Sequence, residues 1–280
     1  MAESTSPWRG RRVLVSGCTG FLGNAVVQEL LTAGAEVVGL VRDRTAAAAL
    51  ARHQLSGRVH IVYGRVDDLF RVHSALAVHE IQSVFHLIPA TPFGTDRGIT
   101  TVLDAVRRYD PRIPTVAAQP AALGPVQNSP VPLGVARFGE LFGRDPQDER
   151  GVCSHAIGVL GGKRVFSTAE RGTRDFVHVR DAARACLLLA ESVANRSIPH
   201  VLEATFRTGW MLTDHEMLAM VREVCEDRQP ATSFSNPPAN PFGWSPSLNF
   251  VEAMADTIDW CREVMRSRPA GTRLPARAAA

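Results

Sequence analysis

The chain has 280 residues, 45% of them apolar and 21% charged, and a formal net charge of +3. That is enough apolar material for a buried core in one large domain or one and a half. The charge is too small and too scattered to point to nucleic acid, so a small molecule is the expected partner.

Lys163 is the sole lysine among 31 basic residues, so chemistry that needs an ammonium group has one candidate. The five cysteines (Cys18, Cys153, Cys186, Cys225 and Cys261) are odd in number and show no CxxC spacing. Reduced thiols, a cytoplasmic setting and no metal site follow as expectations. The segment Met1–Arg12 lacks the apolar stretch of a signal peptide, and no run approaches the ~18 apolar residues of a membrane helix.

In chain order, Arg12–Ser16 reads as a strand, Gly20–Ala33 as a helix ended by Gly34, and Glu36–Val41 as a second strand. Ala46–Gln54 is an alanine-rich helix, Val59–Tyr63 a strand, and Asp68–His79 a helix with Leu69, Val72 and Leu76 on one stripe. Ser83–Ile88 is continuously apolar, as a strand covered on both faces should be. Thr100–Arg108 reads as a helix and Thr115–Ala118 as a strand, followed by a loop rich in proline, alanine and glycine to Pro132. Val135–Phe138 is a further strand, Cys153–Leu160 a helix and Arg174–Val179 extended. Asp181–Ser192 is a helix with Asp181 as N-cap, and Thr213–Cys225 one opened by a Thr213/Glu216 capping box. Ser233–Pro246 is irregular, Ser247–Met265 is the last amphipathic helix, and a disordered tail follows. Alternating strands and helices predict an α/β fold, a Rossmann-like doubly wound parallel sheet over 1–150. A smaller, reduced substrate lobe over 151–266, with elements returning to the sheet, and a tail over 267–280 complete the expectation.

The stretch Gly17-Cys18-Thr19-Gly20-Phe21-Leu22-Gly23 joins the first strand to the first helix. Glycines there let backbone N–H groups approach a pyrophosphate at a helix N-terminus. Cys18 in that turn is either a thiol with its pKa lowered by the helix or a small residue packed in a tight place.

The pattern resembles the extended short-chain dehydrogenase/reductase superfamily, the NAD-dependent epimerase/dehydratases, and is nearest in texture to the nucleotide-sugar 4,6-dehydratases. The resemblance rests on Trp8–Val15 with the glycine turn, Val84–Leu87, Gly134–Gly143 (GVARFGELFG), Thr173–Asp181 (TRDFVHVRD) and Gly243–Pro246. It implies NAD or NADP held by Gly17, Thr19, Gly20, Phe21, Leu22, Gly23, Arg42, Asp43, Arg65, Val66 and Leu87. It also implies a tyrosine with a lysine four residues on, and here the chain departs from it. Tyr63 is followed at that spacing by Asp67, and Tyr109 by Ile113. The serine-bearing strand end reads Val116-Ala117-Ala118-Gln119, and the YxxxK segment is missing between Asn128 and Gly134. Thr95 takes the place of the helix asparagine, and a second shortening falls between Pro89 and Gly98. The dimer common in the family uses the helix that carries YxxxK, so the oligomeric state stays open.

At the adenosine end, Val41 stands where relatives carry an acid, with Arg42 and Asp43 after it, and Arg65 replaces an aspartate after Gly64. Arg42 is either a 2′-phosphate contact, favouring NADP, or an ordinary exposed arginine. Glu140 stands where relatives carry an asparagine that meets the nucleotide-sugar. A carboxylate there repels a diphosphate, and the residue is either a general acid or base or an arginine-paired glutamate. His86 and Asp175 are further catalytic candidates, each with a packing or bracing alternative, and Arg174 and His155 are candidate substrate contacts. Three readings remain. One is an atypical enzyme working by acid/base chemistry (elimination, isomerisation or cyclisation) on a sugar-derived or other polar metabolite, with the dinucleotide structural or absent. The second is a non-catalytic dinucleotide- or partner-binding remnant, and the third a conventional NAD(P)-dependent epimerase or dehydratase.

Overall fold

A computed structural model describes residues 6–52, 55, 57–88, 97–120, 126, 128–144, 151–163, 165, 172–195, 201–228, 230, 234 and 238–267. Two compact units emerge. The first comprises residues 1–138, 182–206 and 241–244, and the second residues 139–181, 207–240 and 245–280. The first break between the units falls at Gly139, and the segment 182–206 belongs to the first unit.

The first unit is a seven-stranded parallel sheet in the order β3-β2-β1-β4-β5-β6-β9. Its strands are β1 (Arg12–Ser16), β2 (Glu36–Val41), β3 (Val59–Tyr63), β4 (Ser83–His86), β5 (Thr115–Pro120), β6 (Leu133–Phe138) and β9 (Val201–Thr205). Helices α1 (Phe21–Thr32), α2 (Arg44–Arg52), α3 (Leu69–Val78) and α4 (Arg97–Tyr109) lie between the first five strands in the chain. Branched and aromatic residues fill the central strands. Val13, Leu14, Val15, Val84, Phe85 and Val116 are essentially inaccessible, as expected where both faces of a parallel sheet are covered. Gly34 ends α1 in the left-handed region (φ +86°). Asp68 caps α3 by accepting from the Arg71 N–H at 3.1 Å. Cys18 is packed, its sulfur occupying the space that the missing side chain of Gly39 leaves on β2. Burial pushes its thiol up to about 12.

The second unit holds a small sheet in the order β10-β8-β7, from β7 (Glu140–Phe142), β8 (Arg174–His178) and β10 (Met211–Leu212). Helices α5 (Val152–Leu160), α7 (Asp214–Cys225) and α8 (Phe250–Arg266) surround a core of Phe142, Phe176, Trp210, Met217, Phe250 and Met254. The Thr213/Glu216 capping box is formed, and Asn249 and Glu252 form another at the start of α8. Helix α6 (Val179–Ala194) begins in this unit and continues in the first. It starts two residues before the expected cap, so Asp181 sits inside the first turn. There Asp181 accepts from the Ser247 N–H and hydroxyl at 2.9 and 2.6 Å.

Strands β7, β9 and β10 were not expected. Two and three residues are too few to show a period, and Val201–Thr205 carries a glutamate at its centre. Helix α2 begins two residues before its expected start, α4 begins at Arg97, and β4 stops at His86. The decisive feature is the link from β5 to β6. The two strands pair directly and in parallel, from Thr115 against Leu133 to Pro120 against Phe138. Only residues 121–132 connect them, and none of the described ones is helical. Parallel neighbours need a crossover of about a dozen residues or more, most often through a helix, so this connection sits at the lower limit. Thr95, the segment 89–96 and the tail beyond 267 lie outside the described residues.

Candidate functional site

The turn after β1 is closed by glycine. Gly17 has φ +80°, and a Cβ there would stand 2.9 Å from the backbone of Leu87. A Cβ on Gly23 would stand 1.9 Å from the Gly17 carbonyl oxygen. The Gly20 N–H donates to that oxygen at 2.9 Å, and the Leu87 N–H ties the end of β4 to the Ser16 carbonyl at 2.9 Å. Helix α1 starts at Gly20 with no side-chain cap, so no side chain satisfies its leading N–H groups. Asn24, one turn in, is buried, and its Nδ2 has no acceptor among the described residues. A narrow glycine cradle with an uncapped helix end fits a pyrophosphate. Thr19, Phe21 and Leu22 are half-buried around it, and Leu87 is buried beside it.

His86 ends β4 with its ring buried, and its Nδ1 lies 2.8 Å from the Ser16 Oγ. Strand register places Ser16, His86, Ala117, Val135 and Glu203 in one row across five strands. Glu203 accepts from the buried Arg137 at 3.1 Å and from the Val126 N–H of the short connection. Burial opposes its charge, but these bonds outweigh it and hold the Glu203 carboxyl below its usual range. The sequence reading missed Ser16, Arg137 and Glu203 as a group. An arginine inside the buried strand LGVARF was the available signal, since a buried guanidinium requires a partner.

After β2, the Asp43 carboxylate accepts from the Ala46 N–H at 2.8 Å and from the Arg42 Nε at 3.1 Å. Arg65 is bidentate to Asp67, and Val66 is half-buried beside it.

In the second unit, Arg174 bridges two carboxylates. Its Nη1 donates to the Glu140 Oε2 at 2.7 Å and its Nη2 to Asp214, with the guanidinium 5.1 Å from the Phe176 ring centre. Glu140 is therefore arginine-paired, though its side chain remains 38% exposed. Strand β7 sets Glu140 beside Phe176 of β8, and Asp214 is the first residue of α7. Asp214 had gone unmarked in the sequence. Both Asp175 oxygens brace the following loop: Oδ1 accepts from the Thr208 hydroxyl and the Gly209 N–H, and Oδ2 from the Thr208 N–H. His155 is half-buried on α5. A separate buried group, His178, lies 3.5 Å from Asp256, which also pairs with Arg144. Burial opposes the Asp256 charge, but hydrogen bonds from His178 and Arg144 hold its carboxyl far below the usual range.

Residues 13–108 match the family model described as the NAD dependent epimerase/dehydratase family. The fold, a parallel sheet flanked by helices, is the Rossmann-like one of solved NAD-binding epimerases. Its structure superimposes on the dTDP-glucose 4,6-dehydratase of Bacillus anthracis, solved with NAD, with a TM-score of 0.70 at 15% identity, over 92% of this chain and 98% of that one. The UDP-glucose 4-epimerase of Thermotoga maritima, solved with UDP-glucose, gives 0.68 at 19% identity, over 91% and 99% of the two chains. In sequence, the UDP-glucose 4-epimerase of Bacillus subtilis is 24% identical, over 89% of this chain and 96% of its own. That alignment runs over 328 positions, more than the 280 residues of this chain, so the relative contains insertions absent here. Among the described residues no three or more His, Cys, Asp or Glu side chains form a metal site, and no helix is long and apolar enough to cross a membrane.

Proposed function

We propose that the chain binds a nicotinamide dinucleotide, NAD or NADP, at the Gly17–Gly23 cradle. It then acts on a small sugar-derived or other polar metabolite by acid/base chemistry without a tyrosine–lysine pair. The observation that carries this reading is the union of an intact glycine cradle with a β5–β6 connection confined to residues 121–132. That connection leaves no described helix on which a hydroxyl and an ammonium could be spaced four residues apart. When bound, the dinucleotide supplies a group that accepts or returns hydride. Residues of the chain supply the rest. Gly17 and Gly23 let the cradle close, and the uncapped N-terminus of α1 offers N–H donors.

Glu140 is the proton-moving group. Its Oε2 is held by Arg174, while its Oε1 has no hydrogen bond among the described residues. A carboxylate fixed through one oxygen presents the lone pairs of the other to a substrate C–H or O–H. Arg174, tied also to Asp214, sets the direction of that oxygen.

The test offers nucleotide sugars, sugar phosphates and free sugars to the protein with NAD or NADP and follows products by mass spectrometry. Glu140→Gln keeps the shape and removes the base, so turnover of the substrate found should fall by roughly 10²- to 10⁴-fold with dinucleotide binding unchanged. Unchanged turnover removes Glu140 from the chemistry.

A second reading, a non-catalytic dinucleotide- or partner-binding protein, draws support from the other two candidates. The His86 Nδ1 faces Ser16, and both Asp175 oxygens are engaged by Thr208 and Gly209. Dinucleotide binding with no turnover across the panel supports it.

A further inference from the structure

The ends of β2 and β3 carry information about the ligand that the glycine cradle does not. We infer that they are built to take a phosphomonoester on the adenosine ribose, so that the dinucleotide is NADP(H) and not NAD(H). The inference rests on the dinucleotide reading and specifies its adenosine end.

A carboxylate is the usual acceptor for two free ribose hydroxyls. Val41 is apolar and buried, and the first acid after it is committed. Asp43 receives the Ala46 N–H on one oxygen and Arg42 on the other, which holds its carboxyl below the usual range. Asp68 serves as the cap of α3, and Asp67 is held by both arms of Arg65. Each carboxylate at these strand ends therefore has a local structural duty.

Guanidinium groups are in surplus there. Arg42 is 63% exposed and bonds Asp43 through Nε, so its terminal nitrogens are unengaged among the described residues. Arg71 rises from the first turn of α3 with its stem against Gly64. A Cβ built on Gly64 would stand 3.2 and 3.3 Å from the Arg71 Cβ and Cγ. The Gly64 N–H in turn donates to the Val41 carbonyl at 3.0 Å. The glycine after β3 thus admits the Arg71 stem beside the residue that precedes Arg42. The Arg71 guanidinium is exposed and has no ion-pair partner among the described residues, and exposed Arg44 opens α2 on the other side of Asp43. Arg42, paired with Asp43 through Nε alone, stands with Arg44 and Arg71 at two adjacent strand ends, and a phosphate dianion adds negative charge there and accepts charge-assisted bonds. A ribose diol adds no charge.

The experiment is calorimetric titration of the full chain with NADPH, NADH and adenosine 2′,5′-bisphosphate. The expected result is NADPH binding tighter than NADH by about tenfold or more, with the bisphosphate also bound. The double variant Arg42→Ala/Arg71→Ala should lose this preference while its NADH affinity stays within about threefold. Raising salt from about 0.05 to 0.5 M should narrow the wild-type preference. Equal or tighter binding of NADH by the wild type overturns the inference and leaves the dinucleotide reading standing. Failure of both dinucleotides overturns both, even where the bisphosphate binds. An NADPH preference that survives the double variant, with Arg42→Lys/Arg71→Lys as the folded control, overturns the assignment to these arginines.

Discussion

The two units of this chain treat their polar groups in opposite ways. In the first, the glycine turn leaves a helix end without a side-chain cap, and the terminal nitrogens of Arg42 are unengaged among the described residues. In the second, Arg174 holds Glu140 and Asp214, Asp175 holds Thr208 and Gly209, and Asp256 holds Arg144 and His178. Unsatisfied groups are costly unless water or a ligand completes them, so the first unit reads as a receiver of charge. These paired groups read as a scaffold, with an oxygen of the partly exposed Glu140 to spare. The contrast sets the proposed dinucleotide seat, in the first unit, apart from the proposed proton-moving Glu140, in the second.

The strongest way to break the contrast is Gly23→Ala. Its Cβ would overlap the Gly17 carbonyl oxygen, so the turn must open. Dinucleotide affinity should fall below detection by calorimetry and stability by about 2–4 kcal/mol in urea unfolding. A variant that still binds dinucleotide normally would show that the cradle is not the ligand's seat.

Next in size is Glu203→Ala. It removes one partner of Arg137, whose side chain is 6% exposed, and releases the Val126 N–H. A loss of about 3 kcal/mol is expected, as for a broken buried pair, while Glu203→Gln, which keeps a hydrogen-bonding oxygen, should lose less. Equal losses would mean that a neutral amide oxygen contributes nothing and that the carboxylate charge carries the pair.

The smallest effect concerns acid. The Asp256 carboxyl is depressed in the folded state, so its contribution is complete above its unfolded value near 3.9 and is lost as pH falls below about 4 toward the folded value. Unfolding midpoints measured from pH 6 down to pH 3 should therefore fall more steeply for the wild type than for Asp256→Asn. Parallel curves would show that His178 and Arg144 do not favour the charged form.

Much of the first unit was legible because its signals are local. Glycines at 17, 20 and 23, the Asp68 cap and the β-branched strands each act over a few residues. The same holds for the Thr213/Glu216 capping box. Asp181 misled because a helix-start residue looks alike whether it caps its own helix or receives a bond from Ser247, far along the chain. The candidate site was legible as a roll of residue types. Whether Glu140 is paired or Asp175 is spent on a loop depends on partners that lie 34 and 33 positions distant.

By itself, the sequence determined the alternating α/β order, the glycine cradle and the lack of any tyrosine–lysine spacing, since these depend on residue identity and short-range geometry. Tertiary structure alone decided that β5 and β6 pair across a short connection, that Arg137 meets Glu203 on β9, and that the Arg71 stem lies against Gly64. Those contacts join residues remote in the chain. Their energies exist only once the sheet has brought the strands into register.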